Sequence, residues 1–568
     1  MINRLPVSLC STTQATIIVA LAEERFVNRK NLLWIVLWAW LILTGLSACA
    51  NTASEAGGLP TLAPTMTALP PVVPTDVPAA DPIALPPVNW DDLDPFRAAM
   101  RPAFAGDIDA FANRNRYYIE ARLTFEDGVA ILRGAQRVRY TNRSADTLSE
   151  IVFRLYPNLP ALAGRMVVYQ TEVNGVPVET ALAERDTALI VPLDAPLPPG
   201  DSVEITMQFS VAAERGMYAS YGAFGYQRDV FSGPEWYPVL SVYEEGRGWW
   251  MERATPTGDA VYSESGLYEV RFTAPEDFVV VMSGTELESF PAGEGMTTHH
   301  IVSGPMRDLL VVAGPNFGKT TGYVDDIAVN VYYWPGGEVA AEQVLRIASD
   351  AVRIFNEQFG PYPFSELDVA ETFNFTGIEY PGMIIIADRV WKPGDEFLET
   401  ATAHEVGHQW FYSVIGNNQV DHPWLDESLT SFTEYVYLRE VYGEKRFKDA
   451  TQSDRDWYNY YKGTGAPDLP LNLPVSAYDD SNYGVLIYVK GPLFYLELER
   501  LLGQERFREA LQLYYQRHRY EVVTSADVLR AFEDATGEDL DALFYEWVGE
   551  FEGLDPAVMA REQARNQP

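Results

Sequence analysis

The pattern of apolar residues changes near residue 334, and this change limits the chain to a fold with two unlike halves. From about residue 117 to residue 333, short alternating runs such as SVEITMQFSV and IAVNVYYW are separated by turn pairs that include Asn174-Gly175. Such runs predict an antiparallel sandwich or a saddle-shaped sheet. After residue 334, stretches such as EVAAEQVLRIASDAVRIFNEQFG place apolar residues at helical spacing.

The length supports the same division, because 568 residues are too many for one compact core. We therefore predict a multidomain protein. An all-β saddle or sandwich domain over residues 94–333 is followed by an α+β, mainly helical domain over residues 334–568. In the second domain the predicted helices are 338–360, 397–415, 424–442, 485–502 and 505–517, and the predicted strands are ELDVAETFN and GMIIIADR.

Residues 1–49 are typical of a membrane-targeting segment. An uncharged apolar run at residues 32–46 follows the basic residues Arg29 and Lys30, and the segment ends in LSAC with Cys49 as its last residue. The letters LSAC resemble the bacterial lipobox, in which the cysteine is lipidated and becomes the new N-terminus. We therefore expect Cys49 to anchor an extracytoplasmic protein to the membrane surface, with an uncleaved membrane anchor as the alternative.

Residues 50–93 are predicted to be a tether. Stretches such as LPTLAPTMTALPPVVPTDVPAADP are rich in Pro, Thr and Ala and lack a hydrophobic period, so we expect an extended, semi-rigid chain. A lipid-anchored protein needs such a spacer to hold its folded part off the bilayer.

The charge and the cysteines exclude several classes of function. With 42 basic and 80 acidic residues the net charge is −38, which argues against a nucleic-acid partner. The acidic excess is otherwise explained by a well-solvated surface. Only two cysteines occur, Cys10 and Cys49, so a disulfide framework or a cysteine metal site elsewhere in the chain is excluded.

The stretch TAHEVGHQWF contains the arrangement H-E-x-x-H. On a helix, His404 and His408 are four residues apart and share one face, so both imidazoles can reach one zinc ion. Glu405 is rotated by about 100° from His404 and would stand beside the metal, where it can accept a proton from water. The alternative is a pair of ordinary surface or core histidines.

A catalytic zinc needs a third protein ligand and one open position. We predict a second helix that begins near Asp421 as its N-cap, with Pro423 in the first turn. Glu427 lies in the first turns of that helix, 19 positions after His408, and two helices joined by a loop can return its carboxylate to the histidine pair. Glu427 could instead be an exposed glutamate.

These segments together resemble a known family. HEVGHQWF followed by PWLDESLTSFTEY is similar to the gluzincin aminopeptidases of the aminopeptidase N and leukotriene hydrolase family, in a short bacterial lipoprotein form without the C-terminal helical domain. The resemblance implies one zinc ion per chain, held by His404, His408 and Glu427. Asp426 and Ser428 replace the Asn and Gly that commonly flank the third ligand in that family.

Two more segments extend the resemblance and imply roles for their residues. FTGIEYPGM resembles the family's exopeptidase motif, which implies that Gly377 and Glu379 lie on an edge strand and that Glu379 binds the substrate's free ammonium. YGVLIYVKG resembles a family helix in which Tyr488 donates to the developing oxyanion. Taken alone, Glu379 would be a turn glutamate and Tyr488 an ordinary core aromatic.

The resemblance implies a saddle-shaped N-terminal domain and a thermolysin-like catalytic domain. It implies a zinc aminopeptidase that acts on peptides with a free N-terminus, with Glu405 and Tyr488 as catalytic residues. The alternatives are a zinc endopeptidase of the same fold and a non-catalytic peptide-binding surface protein. Glu434, two turns after Glu427, is a candidate to orient a ligand histidine, with a solvated carboxylate as the equal alternative.

Overall fold

The computed structural model describes residues 82–565 except 161, 163, 217–222, 252–257, 374–375 and 480. The predicted signal segment with Cys49, and most of the predicted tether, lie outside the described residues. Among the described residues, no helix has both the length and the apolar character that a membrane span requires.

An eight-stranded sheet dominates the first half. In sheet order its strands are β16 (Thr285–Gly293), β17 (Met296–Val302), β14 (Leu267–Pro275), β1 (Arg116–Glu126), β2 (Val129–Thr141), β8 (Ser202–Glu214), β4 (Gly164–Val173) and β5 (Val176–Pro177). Strands β1 and β14 are parallel, and the other neighbours are antiparallel. In β14, Val270 and Phe272 are buried while Glu269 and Arg271 are partly exposed, as the alternating sequence predicts.

Two four-stranded antiparallel sheets and a hairpin complete this half. The first sheet contains, in order, β15 (Phe278–Met282), β18 (Leu310–Pro315), β10 (Val230–Pro234) and β9 (Gly225–Gln227). The second contains β11 (Val239–Leu240), β3 (Leu148–Arg154), β7 (Ala188–Leu197) and β6 (Ala181–Ala183). The hairpin pairs β12 (Tyr243–Glu244) with β13 (Gly248–Trp249). The predicted β-rich character of the first half is confirmed.

A five-stranded mixed sheet opens the second half. Its order is β19 (Gly318–Val324), β20 (Ile327–Tyr333), β21 (Glu366–Thr372), β23 (Met383–Ala387) and β22 (Gly377–Tyr380). Strand β20 is parallel to β21, so residues 318–333 belong to this sheet rather than to the sheets before it. The sequence places the boundary after residue 333 because strand patterning cannot tell which sheet a strand will join.

Helices cover most of the remainder. They are α1 (Glu338–Gln358), α2 (Glu396–Gly407), α3 (Glu427–Tyr442), α4 (Glu444–Gly463), α5 (Tyr483–Val485) continuing through a π-helical turn (Leu486–Lys490) into α6 (Gly491–Leu502), then α7 (Gln504–His518), α8 (Ser525–Thr536), α9 (Asp541–Trp547) and α10 (Pro556–Arg565). Short 3-10 helices cover Asp94–Ala99, Pro102–Phe111, Tyr156–Asn158 and Val475–Ala477. The predicted two-part fold class is confirmed, although α2 is shorter than the predicted 397–415.

The largest hydrophobic cluster of the described residues contains buried side chains from both halves, from Phe96 in the first to Leu554 in the second. Polar contacts also join them: Arg101 Nε lies 2.6 Å from Asp326 Oδ1, and Val261 N–H donates to Gln419 Oε1 at 3.3 Å. The second of these contacts lies beside the candidate site, so residues from both halves can contribute to it.

Candidate zinc peptidase site

Helix α2 carries His404, and His408 is its C-cap residue. Its N-cap is Asp395, whose side chain accepts a hydrogen bond from Phe397 N–H, and the helix ends where the histidine pair faces α3. The Nε2 atoms of His404 and His408 lie 3.1 Å apart, so the imidazoles do share one face as their spacing predicts. The His408 side chain is 1% exposed and that of His404 is 12% exposed.

Glu427 completes a triangle with these two nitrogens. Its Oε2 lies 3.2 Å from His404 Nε2 and 3.4 Å from His408 Nε2. In a tetrahedral zinc site with bonds of about 2.0–2.1 Å, neighbouring ligand atoms are roughly 3.3–3.4 Å apart. The three ligand atoms therefore fit a single zinc ion, and they leave one face for a fourth ligand.

The third ligand reaches this position by a different local structure from the predicted one. Helix α3 begins at Glu427, so Asp421 is not its N-cap and that expectation is wrong. The residues before α3 form turns instead, because side chains hold them. Asn418 donates to Asp421 at 2.8 Å, and Asn417 donates to Asp426 at 2.9 Å.

Close packing of α2 on α3 lets the ligands meet. A methyl group at Gly407 would overlap the Thr433 hydroxyl and would lie 3.0 Å from Thr430 Cγ2. Any larger residue at position 407 would therefore push the end of α2, and the adjacent His408, away from Glu427.

The Nδ1 atom of each imidazole, which is the ring nitrogen outside the triangle, has its own hydrogen-bond acceptor. His404 Nδ1 lies 2.9 Å from Glu434 Oε1, and His408 Nδ1 lies 3.1 Å from the Phe411 carbonyl oxygen. When Nδ1 donates to these acceptors, the lone pair of Nε2 faces the centre of the triangle, as a metal ligand requires. The structure therefore places Glu434 against a ligand histidine rather than in solvent.

The charges of the triangle are coupled. Burial alone lowers the pKa of His404, but its hydrogen bonds to Glu427 and Glu434 raise that pKa well above the usual value. Burial would likewise raise the pKa of Glu427, but both histidines hold it well below its usual value. The raised pKa of His404 favours a protonated imidazole in the absence of a metal. A cation bound by the three ligand atoms would displace that proton, so metal binding should release a proton.

Glu405 lies on α2 beside the triangle and next to Gly377. Burial raises the pKa of Glu405 to about 8, with His404 acting in the opposite direction. A methyl group at position 377 would overlap Glu405 Oε1. A glycine is therefore required at 377, because the strand backbone approaches the Glu405 carboxylate closely.

Glu379 lies on β22, an edge strand that pairs with β23 alone among the described strands. Its side chain is buried, and Oε1 accepts from Gln419 Nε2 at 3.0 Å. The same amide donates to Asp426 Oδ2 at 2.8 Å. Burial, followed by the neighbouring acids Asp259, Glu427, Glu405 and Asp426, raises the pKa of Glu379 well above its usual value.

Tyr488 comes from the π-helical turn between α5 and α6, and turns of this kind are frequent at functional sites. Its hydroxyl donates to Glu427 Oε1 at 2.6 Å, and its ring centroid lies 6.1 Å from that of His404. Ser428 Oγ donates to the Ile487 carbonyl at 2.7 Å, which ties the turn to α3. The ring of Tyr483 packs edge-on against Tyr488, with centroids 5.9 Å apart.

Sequence reasoning missed three residues beside the site. Asp259 lies near Glu427, and burial together with that carboxylate raises the pKa of Asp259 well above its usual value. Glu235 and Asp259 line the same cavity as Glu379, and Gln419 bridges Glu379 and Asp426. No local motif marks Glu235 or Asp259, because they come from the β-rich half.

Comparison with known proteins agrees with this site. Residues 344–547 match the profile described as "Peptidase family M1 domain". "Aminopeptidase 2" of Candida albicans is 22% identical over 319 residues, which cover 52% of this chain and 33% of that protein. "Aminopeptidase M1-B" of Oryza sativa subsp. japonica is 23% identical over 66% of this chain and 43% of that protein. The chain thus spans less than half the length of these relatives.

Solved structures share the fold. The M1 zinc metallopeptidase of Deinococcus radiodurans aligns with a TM-score of 0.56 at 18% identity, over 78% of this chain and 94% of that one. A variant of that enzyme bound to Tyr-Ser-Ala aligns with a TM-score of 0.57 at 18% identity, over 78% of this chain and 94% of that one. The chain therefore shares the fold of these zinc metallopeptidases, and residues 344–547, which contain the ligand triangle, match the peptidase family M1 domain.

The contact between Glu434 and His404 predicts a role in metal affinity. Glu434→Gln removes the charge that orients the imidazole, so we expect zinc affinity to fall by roughly 10–100-fold. Competition with a zinc chelator dye measures the change. Glu440→Gln, which alters an exposed carboxylate on the same helix, serves as the control. Equal zinc affinity in both variants would contradict the role.

Proposed function

We propose that this protein is a zinc-dependent aminopeptidase that releases N-terminal residues from extracytoplasmic peptides. One observation supports this most: a Glu379 carboxylate oxygen and a His408 imidazole nitrogen lie within 4.8 Å of each other. An ammonium group bound by Glu379 would therefore sit beside the metal ligands, so that only the first peptide bond reaches them. The aminopeptidase relatives and the Tyr-Ser-Ala complex of the structural neighbour support the same class.

The edge strand suits peptide binding. Strand β22 uses one side for pairing with β23, and the other side can pair with an extended substrate backbone by β-augmentation. The strand also carries Glu379 and passes directly against Glu405 at Gly377. A substrate aligned on this strand would therefore have its N-terminus at Glu379 and its first carbonyl near Glu405.

The chemistry follows from the residues around the triangle. His404, His408 and Glu427 would hold the zinc ion, which when bound would supply Lewis-acid polarisation of the carbonyl and of water. Glu405 accepts a proton from the attacking water and returns it to the leaving amine. Tyr488, a neutral donor, gives a hydrogen bond to the oxyanion of the tetrahedral intermediate.

Replacement of the proton acceptor tests the mechanism. Glu405→Gln should retain one zinc ion per chain and lower the hydrolysis of aminoacyl fluorogenic amides by roughly 10²–10⁴-fold. Wild-type activity should be lost with a chelator and recovered with zinc. Glu396→Gln, an exposed position on the same helix, is the matched control. Full turnover by the Glu405 variant would contradict the assignment.

The role of Glu379 separates an aminopeptidase from an endopeptidase. Glu379→Ala should lower kcat/KM for free-amine substrates by roughly 10–100-fold, because a charge-assisted hydrogen bond is lost. Assay of the same peptides with acetylated N-termini provides the comparison. Internal cleavage of acetylated peptides by the wild type would favour the endopeptidase, and peptide binding without turnover of any substrate would favour a non-catalytic binding protein.

We also propose that lipidated Cys49 holds the protein at the outer face of the cell membrane, on the basis of the LSAC sequence and the apolar run before it. A Cys49→Ser variant should move from the membrane fraction to the aqueous phase of a detergent partition, or should remain as unprocessed precursor. Processed, membrane-bound protein in this variant would contradict the proposal.

A further inference from the structure

A cavity lies beside Glu379, at the contact between the two halves. It has a volume of about 50 Å³, and Tyr156, Leu162 and Ile378 supply part of its apolar wall. When a cavity is measured by the space open to the centre of a water-sized sphere, one water needs about 10–15 Å³. The cavity could therefore hold roughly three to five waters. That is about the volume of one long amino-acid side chain, and its position next to Glu379 is where the side chain of a first residue would lie.

Three carboxylates line this cavity: Glu235, Asp259 and Glu379. Among the described residues, no Lys, Arg or His lines it. Glu379 has one amide donor, Gln419, which it shares with Asp426. One substrate ammonium would therefore pair with only one of the three carboxyl groups.

Glu235 is the most unusual of the three. Its side chain is 2% exposed, and its backbone φ of 39° lies in the left-handed region that non-glycine residues rarely adopt. Its Oε1 has no hydrogen-bond partner among the described residues. A buried carboxylate oxygen without a donor is costly, so a strained residue in this state indicates a ligand that supplies the missing donor.

The carboxylates fall into two groups. Burial and the neighbouring Asp259 are the first causes that raise the pKa of Glu379, whereas burial and Asp308 raise the pKa of Glu235. Asp308 is itself engaged, since it accepts from the Tyr412 hydroxyl. The geometry agrees: a Glu379 carboxylate oxygen lies within 4.8 Å of a His408 nitrogen, at the metal end of the cavity, whereas the backbone N–H of Glu235 donates to the carbonyl of Leu309, the residue after Asp308, at 3.1 Å.

We infer that the cavity receives a first residue with two positive charges, which rests on the proposed aminopeptidase function. The α-ammonium binds at Glu379 and Asp259. The guanidinium or ammonium of an arginine or lysine side chain binds at Glu235, and its aliphatic stem packs on Tyr156, Leu162 and Ile378. The protein would thus release N-terminal arginine and lysine in preference to neutral residues.

Substrate pairs of matched shape test the inference on the zinc-loaded protein without any mutation. Arginyl and citrullinyl amides differ in charge but hardly in shape, and lysyl and norleucyl amides form a second pair. We expect kcat/KM to favour the charged member of each pair by roughly tenfold or more. Equal hydrolysis of both members would overturn the inference but leave the aminopeptidase function intact. Failure to cleave any aminoacyl amide would overturn the proposed function itself.

A Glu235 variant tests whether this residue causes the preference for a positively charged side chain. Glu235→Gln keeps the shape and removes the charge, so the arginine-to-citrulline ratio of kcat/KM should fall at least several-fold. Glu505→Gln, which removes an exposed carboxylate on α7, should keep the wild-type ratio. A wild-type ratio in the Glu235 variant would overturn its assignment to the side-chain cation.

Discussion

Two imidazoles and one carboxylate must meet around one cation, and the helical half of the protein is arranged to make this possible. Helix α2 reaches α3 closely because Gly407 faces Thr433. The outer nitrogens of the imidazoles are held by Glu434 and by the Phe411 carbonyl. The ligands are therefore oriented by their surroundings and need little rearrangement when a metal binds.

The same site collects more negative charge than its own residues can balance. Glu379, Glu405, Asp426 and Glu427 are all buried. The two histidines contact Glu427, and the other side-chain donors to these carboxylates among the described residues are neutral amides and a phenol. Buried carboxylates of this kind are stable only when a cation or a proton compensates them. Zinc on one side and a substrate ammonium on the other would supply that compensation, so metal binding and substrate binding act on one electrostatic system.

Much of the fold could be predicted because it follows from local periodicity. The alternation in β14 and the helical spacing in α1 each identify the element and its buried face. The predictions differ from the structure where contacts between residues far apart in the chain determine the local structure. Residues 318–333 are strands by pattern, but their sheet is set by pairing with β21. The start of α3 is set by the Asn417 and Asn418 side chains, and the π-helical turn under Tyr488 has no sequence pattern that predicts it.

The sequence by itself predicted the three candidate metal ligands, because a helix places residues four apart on one face and a nearby helix can return the third. It also indicated Glu405, Glu379 and Tyr488 through motifs. Only the tertiary structure brought Asp259 and Glu235 to the same cavity, since both come from the β-rich half and more than 100 residues separate each of them from Glu379. A local sequence pattern predicts the helix or strand that contains a residue, whereas the shape and charge of a cavity depend on how distant helices and strands pack together.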